Sequence, residues 1–276
     1  MKASLNQILV HVDDSAASTG RLALARSLAQ AQEATVAALY AVTPTLLQLP
    51  FVPEAGANWA LDGVDEDRRG IARAAFEQIR STFPGRATWG EIDEYPILAG
   101  FSQQALYADL LVLGQHNPSD PVIGVPEDFA EEVMATSGKP ALVVPYAAPA
   151  SMGQNVVIAW KPTREAARAV AAAMPLLQRA RKIHVLAWSP ENLAVTGDRL
   201  DLAGYLKLRG IEAVWHEESG EEPESLGDLL LSRVFDLEAD LLVMGCYGHS
   251  WAREWFLGGA SRTVLQSMTL PVLMSR

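Results

Sequence analysis

The chain has 276 residues, 49% apolar and 20% charged, with 33 acidic against 22 basic side chains and a formal charge of −11. That length suggests about two globular domains, each long enough for its own core, and the missing Lys/Arg stripe disfavours nucleic acid as a main partner. A single cysteine, Cys246, excludes an intramolecular disulfide and points to a reducing, cytoplasmic setting.

Residues 7–12 are an apolar, β-branched run that predicts a strand. Residues 17–32 follow as a helix, with Leu22, Ala25, Leu28 and Ala29 on one face. A strand is expected at 35–42. The segment 44–63, with Pro50, Pro53 and Gly56, reads as a loop, either a lid, an interaction loop or a tolerated insertion. Helices are then expected at 65–83, 99–107 and 128–136, and strands at 88–92, 110–113 and 141–144. A short linker, 146–153, leads to strands near 155–160, 182–188, 211–216, 241–244 and 271–274. These are separated by helices near 164–180, 197–209, 224–237 and 258–268. The run of residues 8–12 is too short for a signal core, and 140–160 is broken by Pro145, Pro149 and Gly153, so no leader and no membrane span are expected.

Continuous apolar strands separated by amphipathic helices predict βαβ units and parallel sheets covered on both faces. The expected fold is α/β, two tandem doubly wound five-stranded sandwiches over 1–147 and 153–276. The chain also repeats itself. Ala108-Asp109-Leu110-Leu111-Val112-Leu113-Gly114 recurs as Ala239-Asp240-Leu241-Leu242-Val243-Met244-Gly245, and Pro140-Ala141-Leu142-Val143 falls on Pro271-Val272-Leu273-Met274, both at an offset of 131. Residues 8–12 match 156–160 at 148, so the first half carries 17 extra residues, most simply within 44–63. One fold written twice implies halves related by a pseudo-twofold axis. They could satisfy each other as an intramolecular pseudo-dimer, or two chains could pair through the edges at 141–144 and 271–274.

Ligands of such sheets bind beyond the carboxyl ends of the strands, where strand order reverses. After its fourth strand the second half reads Gly245-Cys246-Tyr247-Gly248-His249, continues through Arg253, and reaches Gly258-Gly259-Ala260-Ser261. Gly245 and Gly248 permit tight turning and close backbone approach. Gly258-Gly259 opens a helix whose free N–H groups favour an anion, and Ser261 adds a hydroxyl. Arg253 or His249 could swing toward the outer end of a phosphate chain. Strand-to-helix turns use the same glycines with no ligand, so spacing alone leaves both readings open. Trp251 and Trp255, flanking Arg253, suit a hydrophobic cover or a subunit contact.

On these residues the chain resembles a tandem universal stress protein. Gly245, Gly248 and Gly258 match the Gly, two residues, Gly, nine residues, Gly spacing of the nucleotide-binding members, and Thr269-Leu270-Pro271-Val272-Leu273 resembles their last strand. The likeness is strongest at 239–276, good at 5–42 and 137–145, and weak at 44–95 and 190–225. It implies the fold of the adenine nucleotide alpha hydrolases, ATP or AMP binding with Mg2+ only if the nucleotide carries it, stress-response roles, protein partners and homodimers. The residues it places around a nucleotide are Ala159, Trp160, Lys161, Gly245, Gly248, His249, Arg253, Gly258, Gly259, Ala260 and Ser261. Two positions depart from the pattern. Gly259 replaces the hydroxyl residue that follows the third glycine. Lys161 stands where binding members place an acid near adenine, and a lysine cannot accept a proton from the adenine amino group. Trp160 could stack on a base or pack in the core.

In the first half the equivalents of Gly248, Gly258 and Gly259 are Asn117, Glu127 and Asp128. Two carboxylates at a helix N-terminus satisfy the dipole themselves and repel phosphate, so this half is expected to be a degenerate copy. Asp13 keeps the family's acidic position but reads as a cap for the first helix, alongside Ser15. No Walker loop, dinucleotide fingerprint, nucleophile elbow or zinc spacing occurs. His11 and His184 lie inside predicted strands as packed residues, a metal site at His216 is not expected, and Cys246 reads as a buried filler. The expected function is a non-catalytic stress-response module with at most one nucleotide site, in the second half. The alternatives are an interaction protein that has lost nucleotide binding and a slow nucleotide hydrolase.

Overall fold

Strand β1 (Gln7–Val12) has neighbours on both sides, β2 (Thr35–Tyr40) and β4 (Leu110–Gly114), and every pairing runs parallel. With β3 (Ala87–Glu91) and β5 (Ala141–Val144) at the edges, the order is β3-β2-β1-β4-β5. In this computed structural model, which describes residues 4–49, 58–188, 200–218, 225–246 and 259–276, these strands belong to a unit spanning Leu5–Ala150. Ser151–Arg276 form a second unit, grouped with Ser4. Its strands are β6 (Asn155–Trp160), β7 (Lys182–Trp188), β8 (Val214–Glu218), β9 (Leu241–Gly245) and β10 (Val272–Ser275). Their order, β8-β7-β6-β9-β10, repeats that of the first unit, again all parallel. One connectivity, built twice, accounts for the sequence repeat.

The central strands have no solvent face. Ile8, Val10, Val12 and Leu110 to Leu113 are completely buried, as are Val156 to Ile158 and Leu241 to Val243. Helices on both faces leave no position for polar alternation, which is why these strands read as unbroken apolar runs. Helix α1 (Ala16–Gln32) buries Leu22, Ala25, Leu28 and Ala29, the face read from its spacing. Helices α4 (Ile97–Ala105) and α5 (Phe129–Ser137) complete the cover of the first unit. The second unit uses α6 (Arg164–Leu177), α7 (Leu202–Lys207), α8 (Leu226–Asp236) and α9 (Ala260–Ser267).

The insertion differs from a plain loop. A short helix, α2 (Thr45–Gln48), is followed by α3 (Asn58–Thr82), which begins seven residues before the expected start at 65. A Cβ added at Gly63 or Gly70 would meet nothing within 4 Å, so both lie in open space and the helix runs through them. The Asp65 carboxylate accepts from the Thr45 amide at 3.0 Å and from its hydroxyl at 2.6 Å, tying α2 to α3. Strand β8 starts at Val214 rather than 211. Ile211 is buried and donates its amide to the Leu206 carbonyl, closing the end of α7 instead of entering the sheet.

The repeated Ala-Asp-Leu-Leu-Val motif has a local purpose at the amino end of each sheet. Asp109 accepts from the amides of Asn6 and Gln7 at 2.8 and 3.0 Å, just where β1 begins. Asp240 accepts from the amides of Gly153, Gln154 and Asn155 at 2.9–3.0 Å, just where β6 begins. Each carboxylate satisfies strand-entry donors that the ladder cannot reach. Asp240→Ala is expected to lower unfolding free energy by about 1–2 kcal/mol in a urea titration, and the more exposed Asp109→Ala by less.

Candidate functional site

Strand order reverses between β1 and β4 in the first unit and between β6 and β9 in the second, so the two ligand crevices lie at the carboxyl ends of those pairs. In the second unit Ala159 and Trp160 end β6, in register with Met244 and Ala187 respectively, and both are half-buried. Lys161 follows, exposed, and its carbonyl accepts from the Thr163 amide at 2.7 Å. Gly245 ends β9. Gly259 is the N-cap of α9, its carbonyl accepting from Arg262 at 2.9 Å, and it adopts an extended conformation without a capping side chain. Ala260 opens the helix and Ser261 is buried in its first turn. Gly248, His249, Arg253 and Gly258, with Trp251 and Trp255, lie outside the described residues.

Gly245 is a glycine for a local reason. A Cβ there would stand 2.5 Å from the Ala166 amide nitrogen and 2.8 Å from the Glu165 carbonyl carbon. The first turn of α6, capped by the Thr163 hydroxyl accepting from Ala166, rests directly on the end of β9. Those are backbone atoms of a packed helix and cannot rotate away. Cys246, next along, is buried, its amide donating to Ser275, as expected of a filler.

The first unit carries a buried polar cluster that sequence reasoning missed. Arg21 on α1 is 3% exposed. Its Nε donates to the His11 carbonyl at 2.8 Å, and its Nη2 to Asp13 at 2.6 Å and to the Ser18 hydroxyl at 3.1 Å. Asp13 is equally buried and its other oxygen accepts from the amide and hydroxyl of Ser15. This corrects the expectation of a helix cap. Ser15 is the N-cap but makes no side-chain capping bond, and Asp13 serves a buried ion pair and a turn ahead of the helix. Asp14 is held too, by a bidentate pair of 2.9 Å bonds from Arg68, which also reaches the Ile123 carbonyl. Both carboxylates after β1 are therefore occupied by arginines of the same unit. Asp128 caps α5 without a side-chain hydrogen bond, so the carboxylates expected to satisfy that helix end act on it only through charge.

His11 is a packed strand histidine, as its position suggested. Its Nε2 lies 3.0 Å from the Ala41 carbonyl and its ring meets Phe101 and Phe129. Burial, and then the Arg21 charge, push its pKa down from 6.5 to about 4. It is therefore neutral at pH 7 and forms no ion pair with Asp13, 3.8 Å away. Burial would raise the Asp13 carboxyl, but Arg21, His11 and Ser15 together hold it at about 2, down from 3.8.

His184 is buried as expected, but in a pair that the sequence did not reveal. Its Nδ1 is 2.8 Å from His216 Nε2, across the β7–β8 edge. The ring centroids are 5.0 Å apart, which suits nitrogens pointing at each other rather than at a shared ion. His184 Nε2 is buried without a partner. A bare lone pair there costs less than an unpaired N–H, so Nδ1–H of His184 is the donor. Burial holds the His184 pKa below its ordinary value. Among the described residues no group of three or more His, Cys, Asp or Glu could hold a metal, and no helix is long and apolar enough to cross a membrane.

Residues 152–276 match the family model described as the universal stress protein family. Among solved structures, the chain is similar to a universal stress protein from Archaeoglobus fulgidus DSM 4304, with a TM-score of 0.72 and 17% identity, covering 98% of each chain. It is also similar to a functionally unknown protein from Pseudomonas aeruginosa PAO1, with a TM-score of 0.57 and 16% identity, covering 98% of this chain and 92% of that one. At these identities the likeness is one of fold. No curated protein matches the chain.

Two outcomes follow from this geometry. Gly245→Ala is expected to destabilise the protein by about 2–3 kcal/mol in denaturant unfolding, since backbone must move to admit the methyl group. His11 and Asp13 both bind protons less readily folded than unfolded, so stability falls as pH falls. The His11 contribution is lost from pH 6.5 down to about 4 and that of Asp13 from 3.8 down to about 2. The first step is worth about 3 kcal/mol, and replacing His11 with Gln is expected to flatten unfolding free energy between pH 6.5 and 4.

Proposed function

We propose that the chain is a tandem universal stress protein whose second unit binds one adenine nucleotide, ATP or AMP, and whose first unit binds none. The protein is a cytoplasmic, non-catalytic stress-response module, in which nucleotide occupancy sets how it meets protein partners. One observation carries this reading. The part of the chain that matches the family, residues 152–276, also holds Gly245, Gly248 and Gly258 at the family's spacing. The ends of that loop support it, since Gly245 closes β9 beside the β6–β9 crevice and Gly259 opens α9 with amides that precede its first internal bond. Ala159, Trp160 and Lys161 form the other lip, with Lys161 facing phosphate rather than adenine. His249 and Arg253 would reach the outer phosphates, and Ala260 and Ser261 the inner ones. Mg2+ would arrive only with the nucleotide.

The first unit supports the same division. Both acids after β1 are held by Arg21 and Arg68, and its cavity there measures about 170 Å³, well short of the roughly 300–1,000 Å³ of sites that enclose drug-sized ligands. A second reading, an interaction protein without nucleotide, is favoured by Lys161 and by Gly259 in place of a hydroxyl residue. Titrating ATP with magnesium, and AMP alone, while following the melting temperature separates the two. Nucleotide at about a hundredfold excess over Kd is expected to stabilise the binding unit by about 2.7 kcal/mol, and Gly248→Asp to abolish the effect. Unchanged melting at millimolar nucleotide selects the second reading. Phosphate release that disappears in His249→Ala would instead make the protein a hydrolase.

A further inference from the structure

The polar cluster of the first unit is more than its fold requires, because the second unit builds the same topology without it. At the offset that aligns β1 with β6, His11, Asp13, Ser18 and Arg21 correspond to Ala159, Lys161, Ala166 and Ala169. Ala169 is completely buried where Arg21 stands in the first unit, so an apolar filler suffices. A buried ion pair is a poor source of stability, since desolvation offsets most of its attraction. The first unit keeps one beneath a cavity at the β1–β4 switch point.

The cavity has unspent donors at its floor. Arg21 uses Nε and Nη2, but its Nη1 meets no acceptor among the described residues. Nη1 is the guanidinium atom lying over Gly114, 1.9 Å from where a Cβ would stand, and Arg21 and Gly114 both line the cavity. It is not sealed in, since it is absent from the fully buried atoms that lack partners. Gln115 and His116 stand beside it, Val122 and Phe129 give an apolar wall, and the exposed carboxylates of Asp120 and Glu127 line the rim. The Arg68 bonds to Asp14 and to the Ile123 carbonyl fix the segment that carries this rim.

We propose that this cavity binds a small α-amino acid, its carboxylate accepting from Arg21 Nη1 and its ammonium facing Asp120 and Glu127. With Nε and Nη2 already used, Nη1 offers a carboxylate one charge-assisted hydrogen bond. The two rim carboxylates disfavour a plain acid and favour a molecule with a cation beside its anion. At about 170 Å³ the space is close to that of an engineered cavity of ~150 Å³ that takes benzene, so side chains up to about valine in size are accommodated.

The test is a thermal-shift and calorimetric titration of the whole chain with the twenty amino acids at up to millimolar concentration. Propionate, alaninamide and N-acetylalanine serve as single-charge and blocked controls. Alanine or valine is expected to raise the melting temperature, with at least tenfold weaker binding by each control and no response to tryptophan. Arg21→Ala leaves Asp13 buried and unpaired and can fail to fold. The decisive variant is therefore the exposed pair Asp120→Asn/Glu127→Gln, expected to weaken the amino acid at least tenfold and to leave the response to AMP unchanged. No response to any amino acid, equal binding of propionate, or an undiminished response in the rim variant would overturn the proposal.

Discussion

At the carboxyl end of the fourth strand of each unit there is no room for a Cβ, and what fills that room differs between the two copies. Over Gly114 lies the guanidinium of Arg21; over Gly245 lies the backbone of the first turn of α6. A sheet doubly wound by helices concentrates its strand ends, helix starts and loops at this one place, and only glycine lets them approach so closely. In the second unit the helix itself takes the space. In the first unit a long side chain takes it and draws Asp13, Ser18 and the His11 carbonyl into one hydrogen-bonded cluster.

That cluster accounts for the acids after β1 more directly than the carboxylates at the start of α5 do. Glu127 and Asp128 repel phosphate, but both are exposed and their charge is screened by solvent. Asp13 and Asp14 are different, because each is held by an arginine within its own unit. A carboxylate held in this way is committed to its own unit. The first unit thus differs from the second as much in the groups that bind its acids as in its glycines.

Much of the architecture was legible because it depends on short-range pattern. The repeated Ala-Asp-Leu-Leu-Val motif, the unbroken apolar strands and the single buried face of α1 all follow from local periodicity. The early start of α3 was hidden because Gly63 reads as a breaker, although a single glycine costs a helix of this length only about 1 kcal/mol. Ile211 looked like a strand residue but closes α7, a choice made by one backbone bond to Leu206. Arg21 and the His184–His216 pair were invisible for a different reason. Each depends on which side chains the register of separate elements brings together, and an arginine amid the apolar residues of α1 reads as a solvated position until β4 is placed beneath it. The glycine loop could be read in sequence as a family spacing, but the role of Gly245 in helix packing could not.

A duplicated fold offers an internal control that a single domain lacks. Where the copies agree, as at Asp109 and Asp240, the shared residue serves the frame, and here it supplies acceptors where the first strand of each sheet begins. Where they differ inside the core, the fold itself has shown that it can do without the more expensive choice. Arg21 against Ala169 is such a case. Placing a guanidinium in a core position that a methyl group fills in the twin costs desolvation energy that its partners only roughly return. The fold alone therefore does not account for Arg21, and Nη1 over Gly114 is the part of it that the buried ion pair leaves unused.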